Sequence, residues 1–158
     1  VDIFLDDKHL QTYRHPSVLN PQRSNRIPPA SSVKLDPVPS GNQTYRLGQL
    51  AYARSGDKGD TCNIGVIARS EEIYPVLLAH LTTDVVGSLF SKHFLNPDDV
   101  KNVQRYKLPG VRGLNFVLPH SLGGGGVASL SFDPQGKGFA QALLELELSG
   151  LPNLPAIS

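Results

Sequence analysis

Apolar and polar positions follow two different periods along this chain, and the points where the period changes mark its elements. Leu47 to Arg54 and Asn63 to Arg69 have the texture of two strands, with a polar block between them. Ile73, Val76, Leu77 and Leu81 then fall at helical spacing. Ser70 can cap that helix, and Glu71 and Glu72 suit its positive end. Pro75 is awkward beyond a first turn, so the helix is predicted to be short or distorted near its start. Thr83 opens a second helical segment with Val85, Val86, Leu89, Phe90 and Phe94 along one face. Asn96-Pro97-Asp98-Asp99 repeats the cap-then-proline signature of a single turn.

Strand texture returns at Val103 to Tyr106, and a Pro109-Gly110 turn leads to a second strand at Leu114 to Leu118. Val127 to Phe132 reads as another strand, closed by the turn Asp133-Pro134-Gln135-Gly136. Phe139 to Leu143 reads as helix, and Leu144 to Leu148 alternates as a strand with one wet face. Four to six strands with inserted helices predict an α+β sandwich, a mostly antiparallel sheet with helices on one face. Residues 1–45 differ from the rest. Six of the 13 prolines fall there among Ser, Asn, Gln and Arg. Val1 to Leu5 suits a short strand with Asp6-Asp7 as its turn, and beyond it the composition predicts an extended arm or interdomain linker. The globular domain is expected over 46–150, with a loose tail at 151–158.

Composition narrows the possible functions. At 158 residues the chain supports one domain with a substantial core. A formal net charge of +1 gives no basic field for nucleic acid. One cysteine, Cys62, excludes an internal disulfide framework and a cysteine-based zinc site. No apolar run approaches the roughly 20 residues of a membrane span, and the N-terminus lacks a secretory pattern. A cytoplasmic or organelle-matrix location is therefore expected, with no metal and no cofactor. The chain has no methionine, which suggests a processed piece or fragment of a longer product.

The chemistry concentrates in two loops. Seven of the ten residues from Arg54 to Asn63 are charged, glycine or amide, more than a hairpin turn requires. Arg54, Ser55, Gly56, Asp57, Lys58, Gly59, Asp60 and Asn63 are candidate ligand-binding residues: the amides can form an anion nest, and the two cations can hold a phosphate or carboxylate. Asp57 and Asp60 oppose an anion unless they pair with those cations, and with Asn63 they make only a thin hard-cation site. The block is not a phosphate loop of the Gly-Lys-Ser/Thr type. Its Gly56-Asp57-Lys58-Gly59 lacks the helical setting of a KH module. A long hairpin whose side chains cap their own backbone accounts for the same residues.

The second loop, His120 to Gly126, adds Gly123, Gly124 and Gly125 as candidates for close backbone approach to a ligand or another chain. A plain surface turn accounts for it equally. His120 is the one histidine placed for acid–base work, although no partner base or nucleophile is identifiable. Arg105 and Asn115 lie on strands near these loops and are candidates to face a shared site. Cys62 has cationic neighbours in sequence, but a free cysteine more often serves as a small buried hydrophobe.

Together, Ala53-Arg54-Ser55-Gly56-Asp57-Lys58-Gly59-Asp60-Thr61, Asn63 to Arg69, Leu114 to Leu118, Leu122 to Gly126 and Asp133 to Lys137 resemble the C-terminal domain of AtuA-type acyclic terpene utilisation proteins, over roughly Tyr45 to Leu148. The resemblance implies a ferredoxin-like α+β domain attached to a much larger N-terminal domain; a homo-oligomer is expected as well. The implied pathway is acyclic isoprenoid breakdown through acyl-CoA thioesters, with a CoA thioester or another anionic small molecule as ligand. It supplies no catalytic residue. A structural or oligomerisation module without a ligand site is the alternative.

Overall fold

The computed structural model describes residues 2–12 and 38–154, which belong to two units divided between Lys34 and Leu35. In the first, β1 (Asp2–Leu5) pairs antiparallel with β2 (Lys8–Thr12). Asp6 and Asp7 both take positive φ, 46° and 59°, as a two-residue type I′ hairpin demands. The chain thus returns as a strand where an extended arm was expected. Residues 13–37 of that arm lie outside the described residues.

The second unit is built on one antiparallel sheet in the order β4-β5-β7-β6: β4 is Ala51–Lys58, β5 Thr61–Ala68, β7 Gly113–Leu118 and β6 Gln104–Leu108. Strict alternation decides its two faces. Cys62, Ile64, Val66 and Ala68 of β5 are buried with Leu114, Phe116 and Leu118 of β7. Helix α2 (Tyr74–His80) contributes Val76 and Leu77 to this core, and α4 (Phe139–Leu144) contributes Phe139, Ala140 and Leu143. The opposite face carries exposed Tyr52, Ile67, Tyr106 and Leu108. The unit is the expected α+β arrangement.

A second sheet pairs β3 (Gln43–Arg46) with β8 (Glu147–Leu151). It extends the globular unit beyond 46–150 at both ends. Leu151 is fully buried, and the Leu154 amide donates to the Tyr45 hydroxyl at 3.0 Å, so the start of the expected loose tail is fixed.

Several elements differ from the sequence reading, each for a physical reason. Leu47–Leu50 is one helical turn, α1, rather than strand; its two leucines, three apart, both point into the core. Helix α2 starts at Tyr74 and not behind Ser70, which puts Pro75 in the first turn, where it costs little. Helix α3 (Thr83–Leu89) is capped by Thr82, whose hydroxyl accepts from the Val85 amide at 3.2 Å. Val127 to Phe132 is an irregular stretch of turn and bend that pairs with no strand; Val127, Leu130 and Phe132 are fully exposed. The alternation in Leu144–Leu148 spans a junction, with Leu144 ending α4 and β8 beginning at Glu147.

Two polar contacts finish the core. Arg105 lies on the helix-bearing side, where its guanidinium donates to the carbonyls of Leu78 (3.0 Å) and Leu81 (2.6 Å) at the end of α2. It therefore closes a helix C-terminus and does not face a ligand site. Cys62 is fully buried beneath Gly136, whose φ is 61°; a Cβ there would come within 2.8 Å of the Cys62 sulfur. Burial, reinforced by the Asp133 charge, pushes the thiol up to about 12. It is a packing residue, as its burial dictates.

Replacing Arg105 with Met leaves two helix-end carbonyls unpaired, and should destabilise the domain by about 1–3 kcal/mol in urea denaturation. The thiol gives a second prediction. Because its folded pKa, about 12, lies above the ordinary 9.0, its neutral form stabilises the fold fully below pH 9. That contribution declines as pH rises from 9 towards 12. The stability difference between wild type and Cys62→Ala should therefore shrink across that window, and iodoacetamide at pH 8 should label Cys62 only after denaturant is added.

Candidate functional site

The polar block from Arg54 to Asn63 is mostly strand rather than loop. β4 and β5 pair without a bulge from Ala51–Ala68 to Lys58–Thr61, leaving only Gly59 and Asp60 as the connection. Gly59 takes φ 65° at the first central position, the requirement of a type II′ hairpin. The pleat then separates the candidates. Arg54, Gly56 and Lys58 share the outer face with Tyr52, while Ser55 and Asp57 follow the core-facing parity of Ala51 and Ala53.

Ser55 is buried and fully used. Its hydroxyl donates to the Lys137 carbonyl at 3.2 Å and accepts from the Ala140 amide at 2.9 Å, so it caps α4 from a distant strand. Asp133 secures the same approach: its carboxylate accepts from the amides of Lys137 (2.9 Å) and Gly138 (2.7 Å). Together they bring the Lys137 side chain across the edge strand β4. Its Nζ lies 3.1 Å from the point where a Gly56 Cβ would stand, so glycine at 56 is what admits the lysine.

These residues form an open groove of about 370 Å³. Arg54, Lys58 and Lys137 supply its cations, Asp57 its carboxylate, and Ser55, Gly56, Asn63 and Gly65 the remaining lining. Neither aspartate pairs with Arg54 or Lys58 as an ion pair; Lys58 Nζ donates instead to the Asp57 carbonyl at 3.0 Å. Arg54 has no hydrogen bond or ion pair among the described residues. Asn63 and Asn115 exchange amide hydrogen bonds at 2.9 and 3.1 Å on the groove's inner side. Lys137 was not among the residues singled out from sequence. Its proximity depends on a contact 82 positions long, with no local signal.

The second glycine loop does not line the groove. It packs on the hairpin tip, where Asp60 organises it. The Asp60 carbonyl accepts from the amides of Ser121 (3.1 Å) and Leu122 (3.3 Å), and its carboxylate accepts from the Gly124 amide at 2.7 Å. The other carboxylate oxygen stands 3.2 Å from His120 Nδ1. Gly125, at φ 71°, lies so close that a Cβ would run into the Gly59 carbonyl. Gly123, at φ 63°, faces Ser129. These glycines therefore serve close chain packing. His120, itself at φ 53°, pairs with a carboxylate at an exposed tip with no nucleophile beside it.

Among the described residues no group of three or more His, Cys, Asp and Glu could hold a metal ion, and no helix is long and apolar enough to cross a membrane. The side chains that line the groove are chemically suited to an anion, through charge and the forked hydrogen bonds of a guanidinium.

Comparison with curated proteins and with solved structures finds no match. The model of the AtuA ferredoxin-like domain matches residues 45–149, which are 105 of the 158. That span runs from the Tyr45 end of β3 through both glycine loops and α4 into β8. The chain belongs to the AtuA ferredoxin-like domain family.

Proposed function

We propose that this domain is the accessory part of a larger AtuA-type protein, presenting the groove of Arg54, Lys58 and Lys137 to an anionic ligand. The observation that carries this reading is the excess of unpaired positive charge: three cations line the groove against one carboxylate, Asp57, and the Arg54 guanidinium is unused. Elsewhere the polar side chains of the motif are spent internally, Ser55 on α4 and Asp60 on the glycine run. A guanidinium held by a strand beside two lysines is suited to phosphate or carboxylate, which it grips through two parallel hydrogen bonds.

The groove lies on the open side of the sheet, where a larger N-terminal domain or another subunit of a homo-oligomer would complete it. Within acyclic terpene breakdown, the fitting ligand is a CoA-linked acid. Its role here is binding and positioning, because Cys62 is buried and His120 is engaged with Asp60. A cytoplasmic or organelle-matrix setting accompanies this reading.

A structural or oligomerisation module is the second reading. It is favoured by Val127, Leu130 and Phe132, three fully exposed apolar side chains within one irregular stretch.

Replacing Arg54 and Lys58 together with Ala should weaken binding of a CoA thioester or of phosphate by about twofold to thirtyfold, at roughly 0.2–1 kcal/mol per exposed charge pair. The urea midpoint should hold within about 0.5 kcal/mol of stability. Titration heats that do not change in the double variant would sink the anion reading. Static light scattering addresses the second reading: a Val127→Ser, Leu130→Ser, Phe132→Ser triple variant that loses assembly while retaining ligand binding would favour the module.

A further inference from the structure

The cationic groove continues past Arg54. A second groove of about 260 Å³ adjoins it on the outer face of the sheet, with Tyr52, Ile67, Leu108 and Val111 among its lining. Arg54 and Gly65 line both. The two residues stand opposite each other in the β4–β5 register. Around the position of a Gly65 Cβ, the one non-neighbouring atom within 4 Å is the Arg54 carbonyl oxygen, at 3.9 Å. The floor is therefore bare where the two grooves meet, and a chain of atoms could lie across it.

We propose that the outer face binds a soluble amphiphilic anion, with its charged head among Arg54, Lys58 and Lys137. Its hydrocarbon chain crosses Gly65 and lies against Tyr52, Ile67, Leu108 and Val111. This rests on the anion reading of the cationic groove and adds the class of molecule that fits it. The division of chemistry supports this occupant. A small anion alone leaves the apolar half wet, and an uncharged hydrocarbon leaves the cations unpaired. Tyr52 is 58% exposed, Ile67 46% and Val111 54%, so each has apolar area to lose to a ligand.

Size points the same way. The cationic groove is near the lower limit of the roughly 300–1,000 Å³ typical of small-molecule sites, the apolar one falls below it, and joined they lie inside the range. A second copy of the same face is a poor occupant. A twofold axis through the cationic groove would set the Arg54-Lys58-Lys137 cluster against its own image with only Asp57 to offset it, and one through the apolar groove would pair the apolar halves and offer those cations no anion.

The test is calorimetric titration of the full chain with inorganic phosphate, butyl phosphate and octyl phosphate below its micelle concentration, with anionic phospholipid vesicles as a separate arm. Affinity should rise from phosphate to octyl phosphate by about two- to fourfold per methylene buried. Gly65→Val, whose Cβ would meet only the Arg54 carbonyl oxygen at 3.9 Å, should obstruct the bare floor and abolish that dependence on chain length. Equal affinities across the series would overturn this inference and leave the anion reading standing. Absence of any binding would remove both. A chain-length dependence that survives Gly65→Val would show that the chain lies elsewhere. Binding to vesicles without binding to octyl phosphate would replace the soluble ligand with a membrane surface.

Discussion

The register of β4 against β5 is the constraint on which the rest of this domain depends. Eight successive pairs, from Ala51–Ala68 to Lys58–Thr61, run without a bulge. A shift of one residue would exchange the two faces. Ser55 would then point to water instead of capping α4, and Arg54 would enter the core. The short Gly59-Asp60 turn closes the register, and Asp60 ties that turn to the glycine run. Fold and candidate site thus share one determinant.

This explains why the motif carries more polar groups than a hairpin needs. Some of them complete the backbone elsewhere: Ser55 satisfies a helix amide, and Asp60 satisfies three amides of a following loop. Asp133 satisfies two more. Buried or close-packed backbone requires such partners. The residues left over, Arg54, Lys58 and Asp57, are those available to a ligand. Sorting polar side chains by what they already hold separates architecture from chemistry more sharply than their type does.

Much of this was legible in the sequence because it is local. The β5 and β7 strands, the Asn96-Pro97 turn and the helix at Phe139 announce themselves through period, caps and turn residues. Where strands and sequence diverge, the cause is that alternation does not show whether a partner strand exists. Val127 to Phe132 alternates but has no neighbouring strand, while Gln43 to Arg46 has a weak pattern yet pairs with β8. Leu47 and Leu50 fit a strand or a turn of helix over so short a run. Arg54, Lys58, Asp57 and Asn63 do line one groove. Lys137 joins them through contacts more than 80 positions long, and Gly123 to Gly125 leave the set for the same kind of reason.

The Ser55 hydroxyl has a thermodynamic consequence. It holds both the Lys137 carbonyl and the first turn of α4, so the third cation is in position only while that helix is docked. Local opening of α4 removes a lysine from the groove without disturbing Arg54 or Lys58, which belong to the sheet. The groove therefore has a complete and an incomplete form separated by one local unfolding step. On the proposed reading, an anion held by all three cations would stabilise the docked helix by mass action, and the Ala140 amide, though it would touch no ligand, would become more protected from hydrogen exchange as the groove filled.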